Sequence, residues 1–358
     1  MSVPLASDLK LYQQLRPPRL QKASGLQLKQ TIKSPSVFAG RQSRGVKVTQ
    51  SSQAMPDPAA AAPAAEESKV LNQEELKRFE KDGYIVLENF ASPGECAALI
   101  ERANSLVDGF NPEKISVFST TNQASNSDDY FFESANNISF FFEEGAHDEQ
   151  GNLRQEKALS INKIGHAIHD LDPVFRKFTR SSKMTELLLE LGLVKPLPVQ
   201  SMYIFKQPRI GGKYAPHQDG SFLATEPHSV IGLWLAVEDA TLENGCLWTL
   251  PGSHRDGVQN RMLGINKKVS FDKAMPEYDL SKFTPLEVKA GTLIALHHAN
   301  VHFSEHNTSS KSRHAYSLHV VDGSDQHIWQ PDNWLQRRPD LPLEPMLPGK
   351  GLTPMVQV

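Results

Sequence analysis

The chain contains only two cysteines, Cys96 and Cys246, among its 358 residues. They form no CxxC pair, so the sequence indicates neither a disulfide framework nor a thiolate zinc site. Both thiols are therefore expected to be reduced and buried. Long apolar runs are also lacking, since no stretch reaches the roughly 18 consecutive apolar residues that a membrane-spanning helix requires. We expect no membrane span.

An excess of positive charge is missing from most of the chain. The formal net charge is −3, and no Lys/Arg-rich stripe follows the N-terminal segment. A nucleic-acid partner is therefore not expected, because proteins that bind nucleic acids carry a basic face. The hydrophobic share of 39% and the charged share of 22% are ordinary for a soluble globular protein.

Acidic residues are nearly absent from residues 1–56, which contain nine Lys or Arg, eight Ser and a single carboxylate, Asp8. This composition is typical of organelle transit peptides. We expect the segment to target the protein to a plastid or, as the second candidate, to a mitochondrion. If the basic segment is not a targeting signal, the protein would be cytoplasmic or peroxisomal. With the Ala/Pro linker that follows, the sequence predicts a disordered leader over residues 1–66, a folded domain over residues 67–340 and a tail over residues 341–358.

Helix signals open the folded part. Asn72 and Glu75 have the spacing of a capping box before a helix predicted at residues 73–82. The run Ser92-Pro93-Gly94-Glu95 predicts the start of a second helix. The spacing of apolar residues predicts a helix over residues 159–179 and another over residues 184–191. Residues 108–158 lack such spacing, so we expect a long covering loop there.

Strand signals dominate the second half of the chain. Short runs rich in β-branched and aromatic residues alternate with turns dense in Gly, Pro and Asn, as tight antiparallel connections require. Helices followed by such strands predict a mainly β protein with a double-sheet barrel. The predicted strands cover residues 199–206, 230–238, 245–250, 291–297 and 314–321.

One short motif carries the chemistry. His217 and Asp219 lie two residues apart, so on extended backbone both side chains project to the same side, close enough to bind one cation. A random His-x-Asp pair is more often a surface pair at a strand end. Pro216 and Gly220 beside this pair instead indicate the end of a strand at the mouth of a barrel.

A third ligand is needed to complete the two-histidine, one-carboxylate face of a non-haem iron(II) site. His302 is favoured because it follows the apolar strand pattern and precedes Arg313 by eleven residues. His297 and His298 are the rival candidates. The sequence therefore predicts an iron site and leaves the third ligand open among these histidines.

Longer stretches of the sequence resemble the phytanoyl-CoA dioxygenase family over about residues 70–337. The resemblance implies a double-stranded β-helix, or jelly roll, with the N-terminal helices packed on one sheet. It also implies iron(II) as cofactor, 2-oxoglutarate and O2 as cosubstrates, and ascorbate as a supporting reductant. The matching runs are Ser160–His166, Gln200–Pro208, Pro216–Asp219, Trp234–Trp248, Pro251–His254 and Asp332–Leu335.

The resemblance also implies roles for individual residues. His217, Asp219 and His302 match the iron ligands, and the first two also contact the cosubstrate. A halogenase of this kind has a small residue in place of Asp219, so hydroxylation is expected rather than halogenation.

A second group of positions matches the contacts of 2-oxoglutarate. Arg313 and Ser304 would hold its distal carboxylate, and a planar guanidinium suits such a group because it can donate two parallel hydrogen bonds. Lys163, Met202 and Trp234 match further cosubstrate contacts. Without the resemblance, Met202 and Trp234 would be interpreted as core residues, and Lys163 as a solvated residue on the helix predicted there.

The function implied is hydroxylation of an unidentified lipid-like or acyl small molecule, with release of succinate and CO2. The alternative is a catalytically silent, metal-binding jelly roll that binds a small carboxylate or a protein partner. A zinc hydrolase would suit the same three ligands but would leave Arg313 and Ser304 without a role.

Overall fold

The structure is a computed structural model that describes residues 69–111, 116–118 and 128–346. The predicted transit peptide and linker lie outside the described residues, as does the end of the predicted tail. Within the described ranges, no helix is long and apolar enough to cross a membrane. Cys96 and Cys246 are free thiols buried in the protein, as predicted.

The first helices form as their sequence signals predict. The Asn72 side chain accepts hydrogen bonds from the backbone of Glu74 and Glu75, and Glu75 accepts from the Asn72 amide at 2.7 Å. Ser92 and Glu95 form the same capping box at the next helix. The helices in the described ranges are α1 (Gln73–Asp82), α2 (Pro93–Gly109), α3 (Asp129–Glu133), α4 (Ile168–Leu171), α5 (Pro173–Thr179) and α6 (Ser182–Glu190).

The strands of the described ranges build two antiparallel sheets and two small pairs. They are β1 (Tyr84–Leu87), β2 (Ile138–Phe142), β3 (Ile161–His166), β4 (Pro196–Ile204), β5 (Tyr214–His217), β6 (Thr225–Glu226), β7 (Ile231–Ala236), β8 (Leu247–Thr249), β9 (Met262–Ile265), β10 (Lys268–Phe271), β11 (Thr284–Leu286), β12 (Leu293–His297), β13 (His302–Ser304), β14 (Ala315–Asp322) and β15 (Ile328–Trp329). The large sheet has the order β1-β12-β7-β14-β4-β3-β2, and the small sheet has the order β11-β8-β13-β5.

The helices cover one face of the large sheet. The main core cluster joins Leu99 of α2 and Leu187 of α6 to Leu233 of β7 and Leu318 of β14. The other face of the sheet packs against the small sheet, where Trp234 meets Leu247. Successive residues of a strand point to opposite faces, so each central strand contributes to both layers. This is the predicted jelly roll with helices on one sheet.

Two predictions of local structure were wrong. Residues 161–166 form strand β3 instead of the first part of a helix, and the α-helical part of this segment begins at Ile168. All six residues of β3 are buried, so their apolar pattern has no exposed face from which to distinguish a strand from a helix. The predicted loop at 108–158 contains α3 and the edge strand β2, which pairs with β3.

Candidate active site

The small sheet places two histidines side by side. Strands β5 and β13 are antiparallel, and His302 is the direct partner of His217 in their register. Directly opposed side chains on one face of a sheet are close neighbours. The two imidazole rings accordingly have centroids 4.3 Å apart. The pairing of these strands therefore explains why residues 85 positions apart meet.

Asp219 joins them from the turn that follows β5. Gln218 keeps an extended backbone, at φ −119° and ψ 133°, and this turns the Asp219 carboxylate to the same side as His217. Asp219 Oδ1 lies 3.9 Å from His217 Nε2 and 3.7 Å from His302 Nε2. One donor atom from each of the three residues lies within 4.8 Å of the others, which is close enough for a single metal ion.

The hydrogen bonds behind the histidines fit metal binding. His217 Nδ1 lies 2.8 Å from the Ala215 carbonyl, and His302 Nδ1 lies 3.2 Å from the Asn300 carbonyl. Because a carbonyl only accepts, each Nδ1 carries the proton and each Nε2 offers its lone pair toward Asp219. Burial, with His302 nearby, also lowers the pKa of His217 to about 4, so this ring is neutral at neutral pH.

Asp219 is held by its surroundings in the charged form. Burial raises its pKa, but His319 opposes this, and the pKa stays below its usual value. His319 Nε2 lies 3.2 Å from Asp219 Oδ1. Gly232 of β7 makes room for the carboxylate, because a Cβ there would overlap Asp219 Oδ2. The two-histidine, one-carboxylate set thus fits a divalent ion in chemistry and in space.

The rival histidines lie elsewhere. His297 and His298 contact each other with tilted rings whose centroids are 3.9 Å apart, and His297 Nδ1 accepts a hydrogen bond from the Ala299 amide. Neither belongs to the metal-site group found in the described part of the chain. Of the histidines left open by the sequence, the structure therefore brings His302 to His217 and Asp219.

A cavity of about 80 Å³ adjoins the three candidate ligands. It lies between the two sheets, and both apolar and polar side chains line it. The lining consists of Met202, Ile204, Tyr214, His217, Asp219, Gly232, Leu233, Trp234, Leu247, Leu296, His302, Ser304, Arg313, Ser317 and His319.

Arg313 is the main charged group of the cavity beyond the candidate ligands. Its side chain is 1% exposed, and its guanidinium packs over Trp234 with Cζ 5.0 Å from the ring centroid. Nη2 donates to the Gly245 carbonyl at 3.1 Å, whereas Nε and Nη1 have no hydrogen-bond partner among the described residues. Burial lowers the pKa of Arg313 to about 10, so it remains charged at neutral pH. A buried guanidinium with free donors would be stabilised by an anion.

Ser304 lies at the end of β13, two residues from His302. Its hydroxyl is buried and accepts a hydrogen bond from Lys206 Nζ at 3.0 Å. Ser304 and Arg313 line the same cavity as the three candidate ligands. An anion bound between them would therefore lie beside the metal position, as the resemblance implies for 2-oxoglutarate.

The other three predicted positions also lie at the cavity or next to it. Trp234 of β7 and Met202 of β4 line it, on the two strands that flank β14 in the large sheet. Lys163 of β3 is 1% exposed, so its interpretation as a solvated helical residue was wrong. Its Nζ lies 3.7 Å from Met202 Sδ and 3.1 Å above the Phe118 ring centroid. Burial lowers the pKa of Lys163 well below its usual value.

Sequence reasoning missed Gly232, His319 and Lys206. Gly232 and His319 are direct partners in the β7–β14 register, and both face Asp219. The alternation of side chains along β14 offered a signal for His319. His319 lies on the same face of the strand as Ser317 and Ala315, whereas Leu318 faces the helices. Nothing local distinguishes Gly232 or Lys206, because Asp219 acquires its contact with Gly232, and Ser304 its contact with Lys206, only in the folded protein.

Comparison with known proteins gives matches across this whole region. The family model described as phytanoyl-CoA dioxygenase (PhyH) matches residues 79–315. A protein of Arabidopsis thaliana named phytanoyl-CoA dioxygenase is 52% identical over 267 residues, which cover 75% of this chain and 94% of the relative. Phytanoyl-CoA dioxygenase domain-containing protein 1 of Bos taurus is 48% identical over 292 residues, which cover 77% of this chain and 98% of the relative.

Solved structures share the fold at lower identity. The crystal structure of EctD from S. alaskensis with 2-oxoglutarate and 5-hydroxyectoine is similar with a TM-score of 0.54 and 18% sequence identity. The match covers 76% of this chain and 86% of EctD. At this identity the likeness shows a common architecture.

Proposed function

The chain belongs to the phytanoyl-CoA dioxygenase family, and we propose that it hydroxylates a lipid-like or acyl small molecule at the cavity between its sheets. It is an enzyme of the class of 2-oxoglutarate-dependent non-haem iron oxygenases. The proposed reaction converts a C–H bond, O2 and 2-oxoglutarate into a C–OH group, succinate and CO2. Ascorbate would support it by keeping the iron reduced.

One observation supports this proposal more than any other. The cavity combines three metal-ligand side chains with a buried guanidinium whose Nε and Nη1 have no partner among the described residues. A hydrolytic metal site has no need of such a cation. A structural metal site would not leave the guanidinium unpaired, because buried donors without a hydrogen-bond partner destabilise the folded protein. A small anion that binds the metal at one end and the Arg313 guanidinium at the other would occupy both parts of the cavity.

The proposed roles follow from the geometry. Fe(II), when bound with 2-oxoglutarate, supplies the oxidising chemistry, and the protein supplies position and environment. His217, Asp219 and His302 would hold the ion on one face and leave its other face toward the cavity. Arg313 would orient the distal carboxylate of 2-oxoglutarate by charge-assisted hydrogen bonds, with Ser304 as second donor.

The remaining predicted residues would shape the cosubstrate pocket. Trp234 stacks on the Arg313 guanidinium and keeps water from it, which strengthens the bond to a carboxylate. Met202 lines the cavity, and Lys163 approaches the same region from β3 through its contact with Met202. We assign both to the wall of the 2-oxoglutarate pocket.

The substrate class rests on apolar side chains beside the metal position. Phe222 packs edge-on against the His217 ring, with centroids 5.7 Å apart, and Phe271 packs against Phe222. Both are half-buried. An acyl chain would find an apolar surface there, next to the candidate ligands. The names of the relatives, which refer to phytanoyl-CoA, favour the same class.

The test is succinate production from 2-oxoglutarate with Fe(II), ascorbate and O2, in the presence of fatty acids or acyl-CoA thioesters. We expect oxidation of 2-oxoglutarate by the wild type and a hydroxylated product, identified by mass spectrometry, with one or more of the acyl compounds. Succinate release without any acyl product would contradict the substrate class alone. No succinate from protein that contains iron would favour the silent binding protein.

A further inference from the structure

Lys206 is a buried cation outside the set of predicted site residues. It follows β4 and is 1% exposed, among the most buried side chains of the described ranges. Its Nζ donates to the Gly212 carbonyl at 2.8 Å and to the Ser304 hydroxyl at 3.0 Å. No carboxylate lies within ion-pair distance of it among the described residues. A buried ammonium without an acid is unfavourable, so its position requires a reason.

The surrounding backbone is built closely around this side chain. Lys206 has a positive φ of 40°, a conformation that non-glycine residues rarely adopt. Gly245 gives the side chain its space, because a Cβ at that position would overlap Lys206 Cε. The carbonyl of Gly245 in turn accepts from Arg313 Nη2. Lys206 and Arg313 therefore approach the same glycine. Arg313 lines the cavity, and Lys206 contacts the cavity wall through Ser304.

The hydrogen bond to Ser304 has a directional consequence. When Lys206 is protonated, its ammonium group has three donors and no acceptor, so the Ser304 oxygen accepts from Lys206 and cannot donate to it. The hydroxyl proton of Ser304 has no protein acceptor among the described hydrogen bonds, and Ser304 lines the cavity. That proton is therefore available to a ligand in the cavity. Burial and the nearby Arg313 lower the pKa of Lys206, and a bound anion would oppose this and favour the protonated form.

We propose that Lys206 is a positioning residue for 2-oxoglutarate, which acts by holding the Ser304 hydroxyl so that its proton points to the distal carboxylate. The inference rests on the proposed function, because it assigns the distal carboxylate to Ser304 and Arg313. Lys206 thus acts through Ser304, and its effect is confined to ligands that have that carboxylate.

The experiment compares two ligands by calorimetry in the absence of oxygen, with the Mn(II)-loaded protein. 2-Oxoglutarate has the distal carboxylate, and 2-oxobutyrate lacks it but keeps the group that chelates the metal. We expect Lys206→Met to weaken 2-oxoglutarate binding about tenfold, the scale of one hydrogen bond to a charged group. Binding of 2-oxobutyrate should not change, whereas a general distortion of the pocket would weaken both ligands.

A double-mutant cycle tests the route through Ser304. Ser304→Ala should weaken 2-oxoglutarate binding to a similar extent, and Lys206→Met combined with Ser304→Ala should be no weaker than the single variants. Lys213→Met is the matched control, since this lysine belongs to the same loop but pairs at the surface with Glu305 at 2.8 Å. It should bind both ligands like the wild type, and thermal melting without ligand checks the fold of every variant.

The outcomes separate this inference from the proposed function. Failure of the wild type to bind 2-oxoglutarate would overturn both. If the wild type binds it, three results would overturn the role of Lys206 alone: unchanged affinity in Lys206→Met, equal losses for the two ligands, or additive losses in the double variant.

Discussion

The two faces of the large sheet contrast sharply, although the same strands build both. On β14, Tyr316, Leu318 and Val320 point to the helices and belong to the main hydrophobic core. Ser317 and His319, which alternate with them, line the cavity. Every second residue of this strand thus contributes to the stability of the core, and the residues between them contribute to the site.

Strand β7 repeats the contrast. Leu233 and Leu235 pack in the core under the helices, whereas Gly232 and Trp234 face Asp219 and Arg313. The polar groups of the cavity are therefore carried by strands whose alternate side chains are buried in the apolar core. Substitutions on the cavity face should therefore affect mainly the chemistry, and substitutions on the helix-covered face should affect mainly the stability.

Removal of a candidate metal ligand should give the largest effect on chemistry. Asp219→Ala is expected to reduce 2-oxoglutarate decarboxylation to background, because the remaining two histidines lose the anionic ligand. His217→Ala should do the same. The measurement is succinate release by iron-supplemented protein. His297→Ala is the control and should keep its activity. Loss of activity in His297→Ala, with activity retained in Asp219→Ala, would show that the metal ligands have been assigned wrongly.

Loss of a core side chain on the opposite face should affect stability instead. Leu318 is 1% exposed, so Leu318→Ala should lower the free energy of unfolding by about 2–5 kcal/mol. Its neighbour Ser317 faces the cavity, and Ser317→Ala should change stability by less than about 1 kcal/mol. Urea denaturation measures both. Equal losses would show that the two faces are not separate in function.

A methyl group at Gly232 should disturb the metal position from within the sheet. Gly232→Ala places a Cβ against Asp219 Oδ2 and forces the carboxylate away from the two histidines. The affinity for Fe(II) should fall about 10- to 100-fold, the range found when support of a metal ligand is lost. Metal titration without oxygen measures this. Unchanged affinity would mean that Asp219 does not need this close approach.

A conservative change at Arg313 should have the smallest of these effects. Arg313→Lys keeps the charge but removes the fork that can donate two parallel hydrogen bonds. The KM for 2-oxoglutarate should rise about tenfold, the equivalent of roughly 1.4 kcal/mol, with a smaller change in kcat. Steady-state kinetics with varied 2-oxoglutarate tests this. An unchanged KM would assign the distal carboxylate to other groups.

Local signals predicted much of this structure. The capping boxes at Asn72 and Ser92 involve residues three positions apart, so they can be recognised without the fold. The same holds for His217 and Asp219, whose common direction follows from extended backbone. His302 needed the pairing of β13 with β5, and spacing in the sequence only favoured it over His297.

Features that depend on distant partners could not be predicted. Lys163 was placed on a helix because β3 is buried on both sides and shows no distinguishing alternation. His319 and Gly232 gain their importance only from the register that sets them beside Asp219. Lys206 becomes part of the site through Ser304, 98 residues further along the chain.

Titration of the protein with Fe(II) and then 2-oxoglutarate under anaerobic conditions, followed by visible absorption, tests the proposed site most directly. We expect saturable binding of one Fe(II) per chain and a charge-transfer band on addition of 2-oxoglutarate. Asp219→Ala should show no band, and Arg313→Lys should reach it only at higher 2-oxoglutarate. Absence of the band in iron-loaded wild type, or an unchanged band in Asp219→Ala, would contradict the assignment of His217, Asp219 and His302 as the centre of an oxygenase.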